Sequence, residues 1–216
     1  SSEILPPANN TKEIMNPVID STPAPDDASL LTLAAAAVQA AGTAIQARFS
    51  ADTRPADRRA VGAMIAANDA VSLAVLRPAL SQARPGAQWA DDEGGNGPLP
   101  AGEWWVVDPV EGAINHVHGL PDWGVTATLV RDNLPVLTAV HLPMSAETYT
   151  AVRGGGAWLN GKRLKASPKT ELNAAMVGTG QAVPDEGSAV YRRIGSSVTA
   201  MLAAALVVRV SVPSTL

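Results

Sequence analysis

The sequence predicts an α+β fold in which two long helices precede a largely antiparallel sheet, and two patterns carry that prediction. The first is helical spacing. Leu30, Leu33, Ala37, Ala41, Ala44 and Ile45 recur at intervals of three and four from Ser29 to about Phe49. A second such run extends from Val61 to about Leu80, with Ile65, Ala66, Ala70, Leu73, Ala74 and Leu76 as its expected buried face and Pro78 near its end. The second pattern is alternation. From Trp123 onward, short β-branched runs are separated by turn residues, as in a meander of strands.

Each strand can be placed in order. Trp104 to Asp108 is an apolar run that stops on a carboxylate. Trp123–Val130 and Leu134–His141 flank Arg131-Asp132-Asn133, a hairpin turn. Thr148–Val152, the Gly154-Gly155-Gly156 turn, Ala157–Leu159 and the Asn160-Gly161 turn continue the meander to Leu164. Ala174–Gly180 is a further short strand, Ser188 to about Val207 a mostly apolar helix, and Val208–Val212 a last β-branched run. Ser50–Arg59 is a polar loop, and the segment from Asn96 to Gly102 carries no structure of its own.

The divisions that follow are a leader of artificial origin at 1–14, an extended Pro- and Asp-rich arm at 15–27 that opens on Met15, an α+β domain at 28–168, and the start of a second α/β unit at 169–216. Apolar residues make up 46% of the 216 and charged ones 17%, a balance that excludes disorder as the default state. A net charge of −4 without a basic block argues against a nucleic-acid surface. With no cysteine, any metal must be held by oxygen or by His116, His118 and His141. The Ala-rich run Leu30–Ala47 lacks a basic region before it, having Asp26 and Asp27 there, and is interrupted by Gln39, Gly42 and Thr43. A soluble, cytoplasmic protein without membrane partners is expected.

The chemistry concentrates in Trp104-Trp105-Val106-Val107-Asp108-Pro109-Val110-Glu111-Gly112-Ala113-Ile114-Asn115-His116. A strand that ends on Asp, then Pro, Glu and Gly, turns sharply and delivers two acids and a set of backbone N–H groups into one region. Such a turn suits a hard cation beside an anionic group. It equally suits a plain strand-to-turn junction with solvated acids. Upstream, Asp91-Asp92-Glu93 precedes Gly94-Gly95, and Asp69 follows Asn68 on the second helix; taken alone, each fits a solvated surface.

The order of these parts resembles the inositol monophosphatase family, the Mg²⁺-dependent, Li⁺-sensitive phosphomonoesterases. The resemblance rests on the acidic Asp-Asp-x-Gly loop, Trp105-Val106-Val107-Asp108-Pro109-Val110-x-Gly112-x-x-Asn115 and Leu120-Pro121-x-Trp123. It extends to Gly156-Ala157-Trp158-Leu159-Asn160-Gly161 and Val177-Gly178-Thr179-Gly180, and so from about Ser29 to the end of the chain. It implies a layered α-β-α-β-α sandwich, here with an antiparallel sheet on two long helices and a partial second α/β layer. It also implies Mg²⁺-assisted hydrolysis of a small phosphomonoester such as an inositol, sugar or nucleotide phosphate, and a homodimer. Position by position, Asp91 matches the family's first metal-ligand acid, with Asp92 and Glu93 as alternatives in another register. Asp108 matches the bridging aspartate, the Val110 carbonyl a backbone ligand, and Glu111 the second aspartate. Gly112 and Ala113 match the turn that receives the phosphate, and Asp69 an acid near an outer metal.

The departures fall on working positions. Glu111 stands for Asp, a change of about 1.5 Å in reach, and Asp91 for Glu. Ala113 stands for the threonine whose hydroxyl holds the attacking water in the family, leaving Thr126 or Thr128 as the nearest substitutes. His116 stands where an aromatic is usual; on an extended segment it shares a face with His118, as a metal pair, as loop hydrogen-bonding groups or as a replacement acid/base. Two segments compete for the family's Arg-x-x-Gly-Ser stretch, Arg192–Ser196 and the preferred Arg209–Ser214. No Trp-Asp-x-Ala-Ala motif follows, so the sequence reads as C-terminally incomplete. The functional expectation is a phosphatase, with a catalytically inactive binding or assembly protein as the alternative.

Overall fold

A computed structural model describes residues 26–90, 97–179 and 187–210. The expected leader, most of the arm and the Asp91-Asp92-Glu93 loop lie outside the described residues.

Helix α1 (Asp27–Gln46) and helix α2 (Arg58–Ala83) pack together on one face of a seven-stranded sheet. Its strands are β1 (Gln88–Trp89), β2 (Glu103–Glu111), β3 (Gly124–Arg131), β4 (Leu134–Leu142), β5 (Glu147–Val152), β6 (Gly156–Leu159) and β7 (Lys162–Arg163), neighbours in that order. All pairings are antiparallel except β1 with β2, a parallel edge pair within the stretch Ser29–Trp104 where no strand is evident from the sequence. Helix α3 (Ala113–Val117) links β2 to β3. Farther along, β8 (Met176–Thr179) and β9 (Val207–Val210) form a separate two-stranded parallel sheet with α4 (Ser188–Ala204) between them in the chain.

The hairpins follow from their turn residues. Asp132 and Asn133 have φ of 50° and 64°, and Asn160 and Gly161 have 47° and 77°. Two successive positive φ values match the right-handed twist of the flanking strands, and Asn, Asp and Gly tolerate them best. Period-two alternation then sends Trp105, Val125, Ala127, Leu129, Leu137 and Ala139 into the core beneath the helices. The opposite face carries half-buried Trp104, Val106, Asp108, Thr126, Thr128 and Val140.

Helix α2 buries Leu76 as expected and half-buries Ile65 and Leu73, but its inner stripe is otherwise different. Asn68, Ser72, Leu76 and Leu80 face inward, whereas Ala66, Ala70 and Ala74 are exposed. Residues four apart form the inner row, and the two polar members are small enough to sit beneath α1 and α3. Pro78 lies inside the helix rather than at its close. By length and apolar character α1 and α2 would each suffice to cross a membrane. The interruptions at Gln39, Gly42 and Thr43 therefore do not distinguish α1 from a span. In this fold Leu30, Ala34, Ala37, Val38, Ala41 and Ile45 of α1 are buried.

Two contacts fix how α1 sits. At one end, Arg131 donates to Asp27 and to Glu103, and Arg84 donates to Glu103 and Asp26, joining both helices to β2 and β3. The hydrogen bonds from Arg84 and Arg131 hold the Glu103 carboxyl below its usual range. At the other end, Gly42 lets α1 approach β4 closely. A Cβ there would lie 2.6 Å from His141 Cδ2 and 2.8 Å from Pro143 Cγ. His141 cannot swing aside without losing its contacts to Thr148 Oγ1 and the Glu147 carbonyl. Gly42→Ala is therefore expected to destabilise despite a helix-propensity gain of about 1 kcal/mol. Overpacking of roughly 1–3 kcal/mol outweighs it, seen as a lower urea midpoint at unchanged slope.

Candidate functional site

The candidate site is built by an irregularity in β2. Residues three apart on a regular strand point to opposite faces. Here Asp108 is opposite Thr126 while Glu111 is opposite Gly124, so three steps along β2 match two along β3. The extra residue is a β-bulge at Pro109-Val110, where proline removes a ladder donor. Asp108 and Glu111 therefore share the half-buried face of the sheet, while Val110 turns inward and packs with Ile45 and Trp123. The bulge is held by two short hydrogen bonds: Asp108 Oδ1 accepts from the Val110 N–H at 3.0 Å, and Thr126 Oγ1 accepts from the Asp108 N–H at 3.2 Å.

The chain then turns through Gly112, whose φ of 77° and ψ of 30° are left-handed, straight into α3 with Ala113 as its first residue. The N–H groups that open α3 follow Glu111 directly. Of the two threonines considered as substitutes for the hydroxyl missing at Ala113, Thr126 lies beside Asp108, whereas Thr128 pairs with Thr138 at 2.8 Å across β3 and β4. Asp69 is half-buried on α2, and desolvation raises its carboxyl above the ordinary range. Among the described residues no three Asp, Glu or His side chains gather closely enough to hold a metal ion, and Asp91, Asp92 and Glu93 lie outside them.

The two histidines do not form a pair. The segment is helical, and positions two apart on a helix lie on nearly opposite sides. His118 is on the exposed side with Nδ1 at 2.7 Å from the Ile114 carbonyl. His116 is 3% exposed, at the centre of a relay. Its Nε2 is 3.2 Å from the Ile45 carbonyl and its Nδ1 is 3.1 Å from Asn68 Nδ2. Arg48 Nε in turn donates to Asn68 Oδ1 at 2.7 Å. The arginine fixes which end of the amide faces the ring, so Asn68 donates to Nδ1 and Nε2–H donates to the carbonyl. Both ring nitrogens are occupied in the neutral form. Burial accordingly pushes the His116 pKa down, and the ring is not accessible as an acid or base.

Known proteins share the fold that carries this site. The chain matches the inositol monophosphatase family over residues 26–211. It belongs to the inositol monophosphatase family. It is 32% identical over 152 residues to a protein named putative Nus factor SuhB from Neisseria meningitidis, covering 70% of this chain and 58% of that one. It is 37% identical over 107 residues to inositol-1-monophosphatase of Rhizobium meliloti, covering 49% and 40%. The matched stretches thus span about half the length of these curated relatives. Among solved structures, Mycobacterium tuberculosis SuhB superposes with a TM-score of 0.69 at 24% identity, over 86% of this chain and 70% of that one. The inositol monophosphatase of Anabaena superposes at 0.64 with 23% identity, over 85% and 65%. The α+β layered fold is the one these structures share.

His116 packs as the aromatic that the resemblance expects there. Its ring is edge-on to Phe49 at 5.6 Å and to Trp123 at 4.8 Å between centroids. The nitrogens introduced with it are satisfied by Asn68 and Ile45. Nothing in the sequence points to Arg48 or Asn68, because their partners are 20 and 48 residues away. The bulge, by contrast, has a signal: proline between two acids in an otherwise apolar strand.

Proposed function

We propose that this chain carries the metal- and phosphate-binding turn of a Mg²⁺-dependent phosphomonoesterase acting on a small inositol, sugar or nucleotide phosphate. The observation that supports this most directly is the bulge, which puts Asp108 and Glu111 on one face immediately before a glycine turn and the N–H groups of α3.

The donor chemistry fits a hard cation. Mg²⁺ takes carboxylate and carbonyl oxygens. Asp108 and Glu111 supply the carboxylates; Asp91, Asp69 and the Val110 carbonyl complete the proposed ligand set. When bound, such an ion polarises the phosphoryl oxygen and acidifies a coordinated water. The chain's own part is to hold Asp108 still. One carboxylate oxygen accepts from the Val110 N–H and the Asp108 N–H is tied to Thr126, which limits how the carboxylate can turn. Gly112 and Ala113 offer backbone donors to the phosphate without a side chain in the way. The same reading makes the protein a cytoplasmic homodimer, supported by its modest charge and by family resemblance.

A second reading has the fold without the turnover, as a binding or assembly protein. Ala113 in place of threonine and Glu111 in place of aspartate favour it, and one relative is named a putative Nus factor. Titration of Mg²⁺ and Mn²⁺ with a generic aryl phosphate separates the two. Release that rises with metal and vanishes in Asp108→Ala supports the phosphatase. No release above that variant at any metal concentration leaves the binding protein.

A further inference from the structure

We propose that the cleft between the α1–α2 elbow and α3 is a second ligand site, taking a small oxyanion with a compact apolar body on the guanidinium of Arg48. The cleft is a half-enclosed cavity of about 230 Å³ lined by Arg48, Thr53, Met64, Ala67, Asn68 and His116, together with Ala63. A water occupies about 30 Å³ of liquid, so the space admits a ligand of several heavy atoms rather than one bridging water. Among the described residues no carboxylate lines it.

Arg48 is aimed in advance. Its Nε is held at 2.7 Å by Asn68 Oδ1, and Asn68 is held in turn by buried His116. Among the described residues its two η nitrogens have no hydrogen-bond partner. A guanidinium fixed by one edge presents its remaining donors as a fork, the geometry that recognises a carboxylate or phosphate. Thr53 adds a hydroxyl, and Met64, Ala63 and Ala67 form an apolar wall.

Beside Thr53, the segment that joins α1 to α2 is tied down. Arg54 Nη1 donates to the carbonyls of Ala51, Thr53 and His118 at 2.9, 2.6 and 2.9 Å, tying the elbow to the end of α3. Gly119, at φ +71°, allows this approach: a Cβ there would lie 2.5 Å from the Ala51 carbonyl oxygen. A donor already oriented, as Arg48 is by Asn68, loses less entropy on binding.

The cleft shares no lining residue with the Asp108–Glu111 turn, and its test uses no divalent metal. The full chain, without divalent metal, is titrated with acetate, isobutyrate and inorganic phosphate while its backbone amide resonances are followed. Saturable shifts at Arg48, Met64 and Ala67 are expected, with isobutyrate tighter than acetate because of the apolar wall. Arg48→Gln should weaken binding at least about tenfold through loss of the charge-assisted fork. Because Arg48 also orients Asn68, Met64→Trp serves as a second variant, filling the cavity without touching that contact; it should abolish the shifts. Absence of saturation up to roughly 100 mM, which corresponds to a binding free energy weaker than about 1.4 kcal/mol, overturns the proposal. So does unchanged affinity in both folded variants. Shifts confined to Gly112 and Ala113 overturn it too and assign the anion to the turn.

Discussion

Restoring the two altered residues of the turn, Glu111→Asp with Ala113→Thr, is expected to raise kcat by about 10²-fold or more on a generic phosphomonoester. The threonine contributes most. A hydroxyl that orients water or passes its proton supports typically about 10²–10⁴ in rate, and Ala113 has none. Thr126 Oγ1 is held beside Asp108, where it accepts the Asp108 N–H, rather than at the head of α3 where Ala113 sits. The aspartate acts through geometry. Mg²⁺ tolerates little deviation from octahedral ligation at about 2.0–2.1 Å, and in the proposed site Glu111 would reach about 1.5 Å, one methylene, further than an aspartate. Ala113→Thr alone should raise kcat more than KM, since it acts on the attacking water; Glu111→Asp alone should lower the Mg²⁺ concentration needed for half-maximal rate. Phosphate release against metal concentration for the four proteins checks both. An unchanged rate in the double variant, with Mg²⁺ bound by calorimetry, would show that these two residues do not limit turnover and favour the binding-protein reading.

Much of the fold is legible in the sequence because its signals are local. The alanine-rich helix, the Asp-Asn and Asn-Gly turns and the β-branched runs each specify their own conformation, and the strands of the meander pair with their neighbours in the chain. What escapes is set by distant contacts. The inner face of α2 is Asn68, Ser72, Leu76 and Leu80, because α1, β2 and α3 decide which side of the helix is covered. An apolar tally along α2 finds the alanine-rich side instead. Strand β1, two residues long, exists only through its parallel pairing with Trp104 and Trp105.

The site divides in the same way. The place of Asp108, Glu111, Gly112 and Ala113 is legible from residue order, but their shared face is not: without the bulge, three-residue spacing would send the two acids to opposite sides. His116 is the converse case. Its sequence neighbourhood suggests ligand chemistry, while its surroundings, Phe49, Trp123, Asn68 and the Ile45 carbonyl, make it a core residue.

That core role gives the second large effect. Asn68→Leu should cost about 2–3 kcal/mol, because it leaves the buried His116 Nδ1 without a donor and removes the acceptor of Arg48 Nε. The pH dependence has a definite sign. Burial lowers the His116 pKa from its ordinary 6.5, and His141 is shifted down for the same reason. The folded state then binds fewer protons than the unfolded one. The corresponding stability is fully present above pH 6.5, the unfolded value, and is lost as pH falls below it towards the folded pKa. The slope approaches about 1.4 kcal/mol per pH unit for each such histidine. Protonating His116 would set a ring N–H against the Asn68 amide donors, and Arg48 holds that amide so that it cannot turn its oxygen round. His116→Phe should therefore flatten the decline between pH 6.5 and 5 while keeping the ring contacts to Phe49 and Trp123. Asn68→Asp should act in the opposite direction, since a carboxylate between the ring and Arg48 favours the charged imidazolium and raises its pKa. Urea midpoints across that pH range, with the His116 Cε1–H resonance titrated alongside, check both. A His116 resonance that titrates at an unshifted position in the wild-type chain would show that the relay does not hold the ring neutral.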